Sequence, residues 1–137
     1  MRLTPEQAVL YKRHHAGTKI RSIRNKWHCI RSRAKAHGIP FSITFEWYLD
    51  KYLKGCTLTG VPFAHQRTDP GRRGHASGAQ LFYKCSIDRI KPGGVYSEEN
   101  CHLILNGLNQ LKMQQSLDKF KHDVRKHMSE ILRLSLI

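Results

Sequence analysis

The sequence contains few acidic residues, few cysteines and no long apolar run. Of its 137 residues only 10 are Asp or Glu, against 24 Lys or Arg, which gives a formal net charge of +14. No apolar run approaches the roughly 20 residues that a transmembrane helix requires, and none follows the N-terminal charge as in a signal peptide. Four scattered cysteines are too few for a secreted disulfide framework. We therefore expect a reduced, cytoplasmic protein with no membrane partner.

A helical region should occupy the first 40 residues. The sequence Thr-Pro-Glu at 4–6 is typical of a helix N-terminus, with Pro at the first helical position. Gly38 and Pro40 predict its end, and Gly17 is a candidate interruption. Apolar residues within it recur at steps of three and four, which predicts one buried stripe formed by Ile20, Ile23, Trp27, Ile30 and Ala34.

This helical region is strongly basic. No Asp or Glu occurs between Gln7 and Phe45, where nine Lys and Arg residues are found. Such a run could be a solvated face alone, but like charges on one helix repel each other. A nucleic-acid phosphate backbone explains the run better. We predict that residues 1–40 bind DNA through Lys19, Arg21, Arg24, Arg31, Arg33 and Lys35.

The remainder of the chain alternates helical and extended segments. We predict, in order, a helix capped by Thr44 and ended by Gly55, a strand or turn at 56–63, a Gly-rich loop at 65–80, a strand pair within 81–90, a helix from Ser97 and a last helix from about Leu117 to Leu134. In the helix from Ser97, the inner face should carry Leu103, Leu108 and Leu111.

The stretch at 86–100, SIDRIKPGGVYSEEN, carries the most information about function, together with the Asn109 and Lys112 that follow it. This ordered set resembles the HNH endonuclease family, whose core is a ββα-metal motif, and the phage-encoded branch in particular. The resemblance covers roughly residues 30–115. It implies an α+β, mostly helical fold, in which an HNH nuclease core at 41–115 lies between the basic region and a C-terminal helix, 116–137, that packs on it.

The resemblance also assigns roles to single residues. Asp88 and Asn109 match the family's metal positions, and their oxygen ligands suit one Mg²⁺ or Mn²⁺ better than zinc. Asn109 follows Asn100 by nine residues, so in one predicted helix it should face back over the strand end that carries Asp88. Asn100 is expected to link the loop to the helix start without touching metal. Lys112 matches the trailing Lys and is expected to contact DNA.

One departure from the family concerns the general base. The family's His, directly after the Asp, is Arg89 here. A guanidinium cannot accept a proton from water, so Arg89 is expected to clamp the scissile phosphate and stabilise its charge. Metal-bound water or another histidine would then take the proton. His75 in the Gly-rich loop is the first candidate and His65 the second, while Arg72 and Arg73 of that loop are expected to contact DNA.

A second departure concerns zinc. Many relatives carry two Cys-x-x-Cys pairs, but the matching positions here hold Cys56 with Thr59 and Leu105 with Leu108. One cysteine in four positions cannot hold zinc, so no structural zinc is expected. The cysteines are then small buried residues.

These features predict an HNH-type endonuclease that hydrolyses phosphodiester bonds in double-stranded DNA with one divalent cation. It resembles phage homing or free-standing enzymes. The alternative is an HNH-like protein that has lost its general base and only binds DNA. A ribosomal type of RNA-binding protein would explain the charge but not the motif.

Overall fold

The computed structural model describes residues 2–64, 81–113 and 115–135, with side chains in the last range as far as Lys126. Within these ranges the chain is α+β, with five helices and one two-stranded antiparallel sheet. The elements are α1 (Pro5–His14), α2 (Ile20–Ala36), α3 (Phe45–Lys54), β1 (Cys85–Arg89), β2 (Cys101–Leu105), α4 (Asn106–Lys112) and α5 (Leu117–Ser135). The predicted loop at 65–80 lies outside the described residues.

The start of α1 and the break after it agree with the sequence-based prediction. The Thr4 hydroxyl accepts a hydrogen bond from the Gln7 backbone N–H at 3.2 Å, and the Thr4 N–H donates to Gln7 Oε1 at 3.0 Å. This reciprocal pair satisfies two of the donors that a helix N-terminus leaves free. Gly17 has a φ of +90°, a left-handed conformation that glycine adopts without strain. The basic region is therefore two helices, α1 and α2.

The core joins the basic region to the rest of the chain. On α2, Ile23 and Ala34 are buried, and the remaining stripe residues are partly buried against the core or beside it. They meet five buried residues of α3, namely Phe45, Tyr48, Leu49, Tyr52 and Leu53. Burying one Leu or Ile side chain stabilises a fold by about 1.5–3 kcal/mol. Because the stripe of α2 is used in this way, the Lys and Arg side chains of α2 are exposed, except Lys26, which is partly buried and contacts Tyr52 of α3.

The strand prediction was wrong in two places. β1 covers only the end of the 81–90 segment, and its partner is β2 at 101–105 rather than a neighbouring strand. Residues 97–100 form a turn instead of a helix start, with the Asn100 N–H donating to Ser97 Oγ at 3.2 Å. All five residues of β2 are buried. A short apolar run that is buried on both faces lacks the alternation that separates strand from helix.

A short helix follows β2 directly and packs on both strands. In this helix, α4, Leu108 packs against the core as predicted, but Leu111 is exposed. The 56–63 segment forms a turn that is joined to β2, since the Thr57 N–H donates to the Leu103 carbonyl at 3.0 Å. The last helix, α5, has the predicted extent and buries Phe120.

All four cysteines are free thiols. Cys56 and Cys101 are buried and Cys85 is partly buried, but Cys29 is exposed, so the prediction of a buried side chain was wrong there. Cys29 lies on α2 outside the apolar stripe, where a helix has no core to face. Among the helices described, none combines the length and the apolar composition needed to cross a membrane.

Candidate active site

A polar cleft of about 420 Å³ lies beside β1. Strand β1 supplies Ser86, Asp88 and Arg89 to its lining. Helix α4 packs on β1 and adds Asn109 and Lys112, while α2 contributes Ile30 and Arg33 from the other side. The cleft is therefore lined by one carboxylate, the two amides of Asn106 and Asn109, and three cationic side chains from three elements.

Each of the two carboxylate oxygens of Asp88 has a hydrogen-bond partner within the protein. The side chain is only 6% exposed, and Lys112, which is fully buried, donates from Nζ to Asp88 Oδ1 at 3.0 Å. Lys112 also donates to the Arg89 carbonyl at 3.3 Å. The second carboxylate oxygen, Oδ2, lies 2.9 Å from His102 Nε2 on β2. A buried carboxylate requires such partners, since an unpaired buried charge is costly.

Asn109 is oriented by β1. Its Nδ2 donates to Ser86 Oγ at 2.7 Å and to the Ile87 carbonyl at 3.3 Å. Because the Ile87 carbonyl oxygen can only accept a hydrogen bond, the Asn109 atom that contacts it is assigned as the donor Nδ2. Both bonds use Nδ2, so Oδ1 is not the atom held by β1. The prediction that Asn109 faces back over β1 is confirmed, although Asn109 does not share a helix with Asn100.

Asn100 braces the loop that precedes β2. Its Oδ1 accepts from the Lys91 N–H at 3.0 Å, and its Nδ2 donates to the Val95 carbonyl at 2.9 Å. Its backbone carbonyl accepts from the Ile90 N–H at 2.7 Å. The expected link across this loop is present, but it leads into a strand rather than a helix. Asn100 does not line the cleft.

Arg89 lies at the edge of the cleft with part of its guanidinium already held. One nitrogen, Nη1, donates to the Gly94 carbonyl at 2.8 Å, and the guanidinium carbon lies 5.1 Å from the centroid of the Tyr96 ring. Such cation–π contact fixes an arginine without using its other N–H groups. Since a guanidinium carries five donors, Arg89 retains donors for an anionic ligand.

The predicted DNA-binding residues divide into three groups. Six on or beside α2 are exposed, namely Lys19, Arg21, Arg24, Arg31, Arg33 and Lys35. Of these, only Arg33 lines the cleft. Lys112, which was expected to contact DNA, is fully buried and forms an ion pair with Asp88. Arg72, Arg73 and the predicted general base His75 lie outside the described residues, as does His65.

His102 is the site residue that the sequence-based reasoning missed. It falls within the helix predicted from Ser97, whereas it lies on β2 directly opposite Asp88 in the antiparallel register. Period-2 pairing of β1 with a strand at 101–105 would have identified it. His102 does not line the cleft, so it contacts the Asp88 carboxylate without itself facing the cleft.

The donor set suits a hard divalent cation. Asp88 and Asn109 line the same cleft, and both side chains carry oxygen atoms that can bind a metal ion. Each carboxylate oxygen of Asp88 keeps a second lone pair beside its existing bond. Carboxylate and amide oxygens with water favour Mg²⁺ or Mn²⁺. Across the described ranges there is no group of three or more His, Cys, Asp or Glu side chains that could hold a metal ion. Any ion here would therefore need water and substrate oxygens as further ligands.

Comparison with known proteins adds no relative. No protein-family model matches the chain, and no match was found among curated proteins or solved structures. What the chain does must therefore be inferred from the side chains that converge at the cleft.

Proposed function

We propose that this chain is a metal-dependent DNA endonuclease of the HNH type, which hydrolyses phosphodiester bonds in double-stranded DNA. One observation carries the proposal. Asp88, Arg89 and Asn109, which the motif predicts to act together, line one cleft beside β1, and the basic helix α2 borders the same cleft through Arg33. A cleft that combines oxygen donors with cations matches a phosphate group that is bound together with a divalent cation.

The oxygens of Asp88 and Asn109 would hold one Mg²⁺ or Mn²⁺, which when bound neutralises charge on the scissile phosphate and on the leaving oxygen. Asp88 would be kept in position by His102, and Asn109 by its bond to Ser86. Arg89 would bind a phosphate oxygen through the donors that Gly94 does not occupy.

The exposed basic face of α2 would bind the DNA backbone next to the cleft. The guanidinium carbon of Arg24 lies 4.6 Å from the centroid of the Phe45 ring, and that of Arg31 lies 5.5 Å from the centroid of the Trp27 ring. Packing against a ring restricts an arginine while its N–H groups stay free for phosphate. The general base in this proposal is a group other than Arg89, which cannot accept a proton, and His75 is the first candidate.

Cleavage of supercoiled plasmid tests the proposal. The parent protein should nick or linearise plasmid in Mg²⁺ or Mn²⁺ and stop in excess EDTA. Asp88→Asn should abolish cleavage while DNA affinity measured in EDTA stays nearly unchanged. Asp50→Asn is the matched control, because Asp50 pairs with Lys54 on α3 and does not line the cleft. Thermal melting checks the fold of both variants, since Asp88→Asn leaves the Lys112 ammonium buried without its counter-ion. Full activity of Asp88→Asn, or of the parent in EDTA, would exclude this site.

A DNA-binding protein without nuclease activity is the second candidate. Two observations favour it: Arg89 cannot act as a base, and both oxygens of Asp88 already have partners within the protein. In that case the parent would bind duplex DNA tightly and leave plasmid uncut in both metals. The same assay therefore separates the two functions.

A further inference from the structure

The buried ammonium of Lys112 forms an ion pair with the Asp88 carboxylate, which is the group that would bind a metal ion. Lys112 Nζ lies 3.0 Å from Asp88 Oδ1 and 3.3 Å from the Arg89 carbonyl, and the side chain is fully buried. Lysine is almost never fully buried unless it is paired. This ion pair is therefore built into the fold and not a chance contact of a mobile surface side chain.

The charge balance of the cleft works against a free divalent cation. Among the described residues that line it, Asp88 is the only acid, while Arg33, Arg89 and Lys112 are cations. A divalent ion that approached Asp88 would meet positive charge within a few ångströms and would compete with an ammonium that is already in place. A DNA phosphate brings negative oxygens that balance the cations and can ligate the ion.

We propose that Lys112 acts as an internal counter-cation of Asp88 which competes with the divalent ion, so that metal and DNA bind this cleft cooperatively. The proposal rests on the proposed nuclease function and assigns Lys112 as a positioning residue. Before DNA binds, Lys112 keeps the buried carboxylate neutralised and in place. When a DNA phosphate enters the cleft, its negative charge balances the positive charges of Arg89, Arg33 and Lys112. Asp88 then becomes a better ligand for the divalent ion.

Two measurable consequences follow from this competition. Binding linkage is reciprocal, so DNA should tighten metal binding by the same factor as metal tightens DNA binding. Removing the competitor should tighten metal binding to the protein alone. Lys112→Met keeps an unbranched side chain of nearly the same length and is apolar, which suits a fully buried position. In this variant Asp88 retains its bond to His102.

Equilibrium Mn²⁺ binding to the full chain, followed by electron paramagnetic resonance, tests the proposal without relying on activity. Affinity is measured alone and with a phosphorothioate DNA duplex. We expect the duplex to raise Mn²⁺ affinity of the parent by about tenfold or more, and Lys112→Met to bind Mn²⁺ about tenfold more tightly than the parent in the absence of DNA. Lys121→Met, an exposed lysine on α5, is the control and should match the parent.

Two further arms keep the test decisive. Lys112→Gln is measured if thermal melting shows that Lys112→Met does not fold, and it should also bind Mn²⁺ more tightly than the parent. Equal Mn²⁺ affinity of the parent with and without duplex, or a Lys112 variant that folds and binds no tighter than the parent, overturns the proposal. If the parent still cuts plasmid in that case, only the role of Lys112 is lost. If the parent never cuts, the nuclease assignment itself is lost.

Discussion

Asp88 on β1 and His102 on β2 face each other directly in the antiparallel pair, and His102 Nε2 lies 2.9 Å from Asp88 Oδ2. Both side chains are nearly inaccessible, at 6% and 7% exposure. The direction of the carboxylate is therefore set by strand register and not by a loop. A carboxylate fixed in this way loses little freedom when it binds a ligand.

His102 should matter for metal use although it does not line the cleft. We expect His102→Leu to lower the single-turnover cleavage rate by about 10- to 100-fold, a cost typical of residues that orient a metal ligand. The Mg²⁺ concentration at half-maximal rate should rise in parallel. His102→Gln keeps a donor for Asp88 and should recover much of the rate. A His102→Leu protein with the parent's rate and Mg²⁺ dependence would leave His102 with a packing role alone.

Arg89 should act through its charge and its donors. Arg89→Ala is expected to slow cleavage of bound DNA by about two orders of magnitude, as for removal of one transition-state donor. Arg89→Lys should keep part of the rate, because a point charge remains while the planar fork is lost. Lys91→Ala, an exposed cation two residues further on, is the control. Cleavage by Arg89→Ala at the parent's rate from pH 5 to 9 would refute the phosphate-binding role.

Arg33 should differ from the other cations of α2 because it lines the cleft. In a salt titration of DNA affinity, Arg33→Gln and Arg21→Gln should each reduce the slope of log K against log salt by about 0.9, one phosphate contact each. Only Arg33→Gln should also lower the single-turnover rate on saturating DNA. An equal effect of both variants on that rate would show that Arg33 makes no special contact at the cleft.

Gly107 on α4 should not tolerate alanine. An exposed helical Gly→Ala change ordinarily stabilises by about 1 kcal/mol, but Gly107 is buried and a Cβ there would overlap Phe82 Cδ2. The Phe82 ring must then leave its position, and we expect a loss of about 1–3 kcal/mol in the free energy of unfolding in urea. Adding Phe82→Ala to Gly107→Ala should remove the clash. If Gly107→Ala alone is more stable than the parent, Phe82 does not pack on α4.

The cysteines should differ sharply in reactivity. Burial raises the pKa of Cys85 to about 12 and that of Cys101 to about 11. Because a raised pKa keeps a thiol protonated, little thiolate forms at these positions at pH 8. Iodoacetamide should therefore label the exposed Cys29 in the folded protein, with the remaining cysteines labelled only after denaturation. Mass spectrometry of digested protein reads this directly, and labelling of Cys85 as fast as Cys29 would contradict its burial.

Local sequence was sufficient for the helices and for part of the site. Caps, glycine breaks and apolar periodicity act within a few residues, so α1, α2 and α3 begin and end near the predicted positions. The motif spacing also identified Asp88 and Asn109, which do line one cleft. Five basic residues of α2, Arg21, Arg24, Arg31, Arg33 and Lys35, are exposed as the buried stripe required, while Lys26 is partly buried against Tyr52.

Only the tertiary structure determined the strand pairing and the contacts that join these helices and site residues. The sequence of β2 reads equally well as strand or helix because both of its faces are apolar or buried, and pairing with β1 resolves the choice. That pairing turns His102 toward Asp88. It also lets α4 fold back over β1, which buries Lys112 against the same carboxylate. Local sequence does not indicate a long-range ion pair of this kind, since its two residues come together only when distant segments pack.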